Sequence, residues 1–162
     1  MDLEENIDEM DYPGWMYRAL VEDDLPWKYA KTMEFNEFTA NYTLHDSHWV
    51  GIFYDVAYTQ SATLVILWDE FSLPDKIKET ICPNSDRTFL FVNLTSVQEI
   101  STSNFDSSYG FFQRCISTYS LETINGKKIL AIDDVLGGQI NIIYNGQEQF
   151  LGIESNKHIL AL

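Results

Sequence analysis

At 162 residues, with 25 acidic against 10 basic side chains and a formal charge of −15, the chain is long enough for one hydrophobic core. Its charge has the wrong sign for holding nucleic-acid phosphates and the right sign for meeting a basic protein. Apolar residues make up 45% of it, which excludes the composition of a chain too polar to fold, and no apolar run approaches the eighteen residues of a membrane helix.

The opening MDLEENIDEMD has no basic stretch followed by an apolar one, so no secretory signal is expected and the cytoplasm is the expected location. Residues 1–37 carry eleven Asp or Glu against three Lys or Arg, about half of the excess charge in a quarter of the chain. Trp15, Met16, Leu20, Val21, Leu25, Trp27 and Phe35 lie in the same stretch. It therefore reads as an acidic segment packed on or beside a β domain, within a single domain spanning 1–162. A short helix is expected from Pro13 through Leu20, because proline is tolerated in a first helical turn.

From Thr39 the pattern alternates: Tyr42, Leu44, Asp46, His48, Val50, Ile52 and Tyr54 on one side, Thr43, His45, Ser47, Trp49, Gly51 and Phe53 on the other. One long strand, or two broken near Asp46-Ser47, is expected, then a hairpin link over 57–61. Residues 62–68, ATLVILW, form a short continuous apolar run that suits a central strand. A brief helix over 76–81, a turn at 83–85 and a strand over Thr88 to Val97 follow, with a loop at 101–104. The segment 111–121 leads into Asn125-Gly126, the first of two Asn-Gly steps between alternating stretches; the second is Asn145-Gly146. Each predicts a hairpin of type I′, since both residues tolerate positive φ. Seven or eight antiparallel strands result. The fold class expected is α+β, mainly antiparallel β: a rolled sheet, sandwich or open barrel with short flanking helices.

Chemistry concentrates in Leu44-His45-Asp46-Ser47-His48-Trp49, where two imidazoles, a carboxylate and a hydroxyl fall within six residues. On a regular strand Asp46 and His48 point one way, His45 and Ser47 the other, and no GxSxG elbow exposes the serine. A turn, a polar network or a sheet edge is the favoured role, with nucleophilic chemistry as the competitor. Cys82 and Cys115 have no metal-ligand spacing, and read as buried thiols in preference to a disulfide; His158 lies far from His45 and His48. Asp133-Asp134 lacks an EF-hand spacing and reads as the end of a strand entering a turn. The sequence asks for no cofactor, metal or catalytic residue. Trp68 and Phe91 sit in strongly apolar runs and read as core. Trp15 and Trp27, flanked by Asp23 and Asp24, are the candidate anchors of an interface, weighed against a role in pinning a surface helix to the sheet.

The run Tyr42 to Trp49, followed by Gly51-Ile52 and Asp55, resembles the "HDS" strand signature of small uncharacterised bacterial proteins, some associated with toxin-immunity neighbourhoods. The resemblance covers about fifteen residues. It implies an acidic, cytoplasmic inhibitor that occupies a toxin surface, with Asp46 or the acidic opening as contacts. The first functional expectation is thus an acidic protein-binding module, an immunity protein blocking a basic toxin, with Trp15, Trp27, Asp23, Asp24, Asp46 and His48 at the interface. The alternatives are a small hydrolase or ligand-binding enzyme using the His45-Asp46-His48 region, and a structural homo-oligomer. No nucleic acid and no membrane are expected as partners.

Overall fold

The computed structural model describes residues 12–55, 60–83, 87–104 and 115–162. The acidic residues 1–11, the link at 57–59, the turn at 84–85 and the start of the 111–121 segment lie outside the described residues.

Two open antiparallel sheets with three short helices make up the described fold, in agreement with the expected class. In chain order the helices are α1 (Gly14–Val21), α2 (Phe35–Asn41) and α3 (Asp75–Lys78). The strands are β1 (Lys31–Thr32), β2 (His48–Asp55), β3 (Ser61–Leu67), β4 (Thr88–Leu94), β5 (Val97–Ser103), β6 (Ile116–Ile124), β7 (Lys127–Asp134), β8 (Gln139–Tyr144) and β9 (Glu148–Glu154). The larger sheet runs β1-β9-β4-β3-β2 and the smaller β5-β8-β7-β6.

Burial explains which strands are continuous apolar runs and which alternate. One face of the larger sheet presents Leu64, Ile66, Leu90, Val92 and Phe150 to Leu130, Ile132, Ile140 and Ile142 of the smaller one. The opposite face presents Val65, Phe89, Phe91, Leu151 and Ile153 to Met16, Leu25, Trp15 and Trp27 of the N-terminal segment. β3 and β4 are covered on both sides and need apolar residues at successive positions, whereas β8, with one face open, alternates strictly. The expected central position of ATLVILW follows, since β3 lies between β2 and β4. Among the described residues no helix is long and apolar enough to cross a membrane.

Four expectations need correction. Phe35, Phe38 and Tyr42 are spaced as one face of a helical turn, and α2 forms there, so the strand begins at His48 and not near Thr39. Phe38 stacks on Phe150 at 4.0 Å between ring centroids and on Tyr42 at 4.7 Å. The 88–97 strand breaks at Thr95-Ser96, where Ser96 takes φ 53°, and β4 and β5 join different sheets. Residues 101–103 are strand, because Ser101, Thr102 and Ser103 pair with Asn141, Ile140 and Gln139.

The fourth concerns the Asn-Gly steps. Asn125 (φ 52°) and Gly126 (φ 79°) close the β6/β7 hairpin with both residues left-handed, as type I′ requires. Asn145-Gly146 joins strands that do not pair with each other: β8 lies between β5 and β7, β9 between β4 and β1. Together β4-β5 and β8-β9 form one ribbon that folds over from sheet to sheet, and the bend places Gly146 N–H on Thr95 O (3.1 Å) and Asn145 N–H on Ser96 O (3.2 Å). Glycine is needed there for close approach and not for its φ, because a Cβ would stand 2.5 Å from the Thr95 carbonyl oxygen. Buried Glu148 lines the same bend, accepting from the Tyr144 hydroxyl (2.7 Å) and Lys128 Nζ (3.0 Å). Burial first, and then the hydrogen bond to and charge of Glu148, push the Tyr144 phenol well above its ordinary range.

Candidate functional site

The His45–His48 turn is built by hydrogen bonds from three directions. Thr43 Oγ1 accepts the His45 N–H (3.1 Å), Asp46 takes φ 65°, and Ser47 N–H closes the turn on Leu44 O (3.1 Å). Asp46 N–H donates to Ile116 O (3.0 Å) and Ile116 N–H to Ser47 O (2.8 Å), so the turn ties the edge of the larger sheet to the start of β6. Trp68 Nε1–H donates to Thr43 O (2.9 Å) from the end of β3.

Ser47 decides what this turn does. Its side chain is fully buried, and Oγ accepts the Asp69 N–H at 2.9 Å. Asp69 Oδ2 in turn accepts the Ser72 hydroxyl (2.8 Å), and residues 70–72 form one turn of 3-10 helix. Phe71 stands at its apex, 90% exposed. Phe71 is the most exposed of the large apolar side chains among the described residues. Beside it a cleft of about 300 Å³ is lined by His48, Leu67, Trp68, Arg87 and Thr88. Asp69 and Glu70 border it, and Asp46 lies exposed on the neighbouring turn.

The imidazoles are separated by the turn. His45 Nδ1 lies 3.2 Å from Asp46 Oδ2 in an exposed pair, while half-buried His48 has Nε2 4.0 Å from Cys115 Sγ. Cys115 and His48 have the composition of a thiol nucleophile and its base, and the electrostatics run the other way. Burial, then the Asp46 and Asp69 carboxylates, raise the Cys115 thiol above its ordinary value, where a nucleophile needs it lowered. The thiol donates to Asp46 O (3.2 Å) and ties β6 to the turn.

The N-terminal candidates lie on the other face of the larger sheet. Trp15 Nε1–H donates to Ser155 O (2.8 Å) and its ring lies 6.4 Å from Phe91, so it fastens α1 to the sheet; Trp27 packs into the same cluster. Asp23 (φ 51°) and Asp24 are exposed after the helix. Asp24 and Trp15 share a cleft of about 400 Å³ with Arg18 and Lys157, two cations that offset the local acidity. The structure thus brings Trp15, Trp27, Asp23 and Asp24 together in one layer, and Asp46 with His48 at a second place.

Sequence reasoning missed two features. Phe71 carries no local sign of its exposure. Cys82, Glu154 and His158 meet around a buried carboxylate although 72 residues separate the first two. Both cysteines are free and half-buried. Asp133-Asp134 ends β7 as expected, Asp134 Oδ1 accepting the Leu136 and Gly138 N–H groups (2.8 and 3.0 Å).

Comparison of the chain with protein-family models, with curated proteins and with solved structures finds no match.

Proposed function

We propose that this protein is an acidic binding module that docks on a cationic protein surface through the Phe71 loop and the adjoining His45–His48 turn. The observation that carries the reading is Phe71, 90% exposed beside Asp69 and Glu70 on a loop pinned by buried Ser47. An apolar anchor on a fastened loop, with Asp69, Glu70 and Arg87 lining the adjoining cleft, can supply a hot spot while the net negative charge of the chain steers encounter. The surface charge supports it: between described residues the Lys128–Glu148 pair is the one lysine or arginine salt bridge. With 25 acidic against 10 basic side chains, the carboxylates outnumber the cations that could pair with them, and the excess field is available to a partner. The HDS resemblance falls on the turn that holds the loop, which favours an immunity protein that neutralises a basic toxin as the particular form of this module.

A photo-crosslinking residue placed at position 71, with position 124 as the distant control, tests the site in native lysate. The expected result is a one-to-one adduct with a single basic protein through position 71. Its association slows with added salt, and Phe71→Ala weakens it about 30-fold, equivalent to a hot spot of about 2 kcal/mol. Adducts formed equally at 124, or an affinity unchanged in the alanine variant, would refute the site.

A further inference from the structure

We infer that Cys82, Glu154 and His158 form a binding site for one zinc-type divalent transition-metal ion. One ligand atom from each residue lies within 4.8 Å of the others, close enough for a single ion to draw them onto its coordination shell.

Register places Glu154, the last residue of β9, opposite Thr88, the first of β4. Cys82 N–H donates to Glu154 Oε1 (3.0 Å). Beyond β9 the chain reverses at once: Lys157 N–H donates to Glu154 O and Glu154 N–H to His158 O, both at 2.8 Å, with Lys157 at φ 74°. This tight reversal brings His158 Nδ1 against Glu154 Oε2.

The donor chemistry selects the ion. Glu154 is fully buried, and a buried carboxylate calls for a compensating charge or a metal. Thiolate and imidazole donors suit zinc and its neighbours and disfavour calcium and magnesium, which prefer oxygen alone. A Cys thiolate, a carboxylate and a neutral imidazole carry two negative charges, so a divalent ion makes the site neutral. Binding releases the Cys82 thiol proton to solvent, together with any proton shared between His158 and Glu154. The His158 side chain is 40% exposed and Cys82 half-buried, which leaves a route for the ion from solvent.

The test is a cobalt titration of the chelator-treated, reduced full chain, followed by displacement with zinc. Expected are one cobalt per chain, a thiolate-to-cobalt charge-transfer band, and loss of that band on adding zinc. Cys82→Ser abolishes the band, Cys115→Ser keeps it, and His158→Gln weakens affinity by about tenfold or more. His158 and Cys82 are partly exposed, so these variants fold even if one at buried Glu154 does not. No charge-transfer band at stoichiometric cobalt, or a band that survives Cys82→Ser and disappears with Cys115→Ser, would overturn the assignment.

Discussion

Two glycines in identical Asn-Gly steps respond differently to the same substitution. At Gly146 an added Cβ would lie 2.1 Å from Thr95 Oγ1, 2.5 Å from Thr95 O and 2.7 Å from its carbonyl carbon. Rotating the threonine removes the first contact but gives up the hydrogen bond from Gln147 N–H to Thr95 Oγ1 (2.7 Å). The other two contacts are with backbone, and relieving them separates Gly146 N–H from Thr95 O. Overpacking costs about 1–3 kcal/mol and each lost hydrogen bond about 1 kcal/mol, so Gly146→Ala is expected to destabilise by about 3–5 kcal/mol. At Gly126 nothing stands within 4 Å of the added atom, and the cost is that of alanine at φ 79°, about 1–2 kcal/mol. Urea unfolding followed by fluorescence measures both, with an unchanged m-value as the check that midpoints report stability. In a chain of this length the difference amounts to a Tm gap of very roughly 3–15 °C. Equal midpoints, or Gly126→Ala the worse of the two, would refute the folded-ribbon account of residues 145–146.

Ser47→Ala should cost about 1–3 kcal/mol, since it leaves the Asp69 N–H without its acceptor, and should speed amide exchange across residues 69–72; unchanged exchange there would mean that Ser47 does not hold the Phe71 loop. Tyr144 gives a pH prediction. Because its folded-state phenol is raised, the native protein holds a proton that the unfolded chain releases above about pH 10. That stabilisation is fully present below pH 10 and is lost as pH rises, by up to about 1.4 kcal/mol per pH unit. Tyr144→Phe should lower stability at neutral pH by about 1.5–3 kcal/mol through the lost bond to Glu148 and should flatten the alkaline decline. Parallel stability curves for the two proteins between pH 9 and 11 would refute the linkage.

The difference between the two Asn-Gly steps also shows where sequence reasoning stops. The dipeptide reports that the backbone can turn; it does not report which strand the chain meets afterwards. Between Ile124 and Lys127 the nearest partner is the neighbouring segment, and the hairpin reading succeeds. Between Tyr144 and Glu148 the partners β4 and β5 arrive from some fifty residues earlier, and long-range pairing overrides the local signal. The continuous apolar runs of β3 and β4 were legible because burial on both faces leaves a mark at every position, and the alternation of β8 was legible because burial on one face leaves a mark at every second. Thr39 to Trp49 alternates just as well, yet its first residues belong to α2, where Phe38 stacks on Phe150 and Phe35 packs against the same ring.

The same distinction governs the sites. The His45–His48 turn stands out in sequence because its polar residues are contiguous, but their roles are set by distant groups: Ser47 acts on Asp69, His48 lies against Cys115, and Asp46 bonds to Ile116. Phe71 looks like any loop aromatic until the loop beneath it is seen to be fastened at Ser47. Cys82, Glu154 and His158 are invisible as a set because Cys82 meets the other two only across the fold, and a shift of one residue in the pairing of β9 would turn Glu154 to the other face of the strand. The two proposed sites therefore depend on different parts of the fold. The Phe71 loop rests on a serine at the edge of the larger sheet, and the metal site on the pairing of strands inside it. Cys82→Ser should leave binding through Phe71 intact and Phe71→Ala should leave the cobalt band intact; a variant that abolishes both signals would report a damaged fold and not a damaged site.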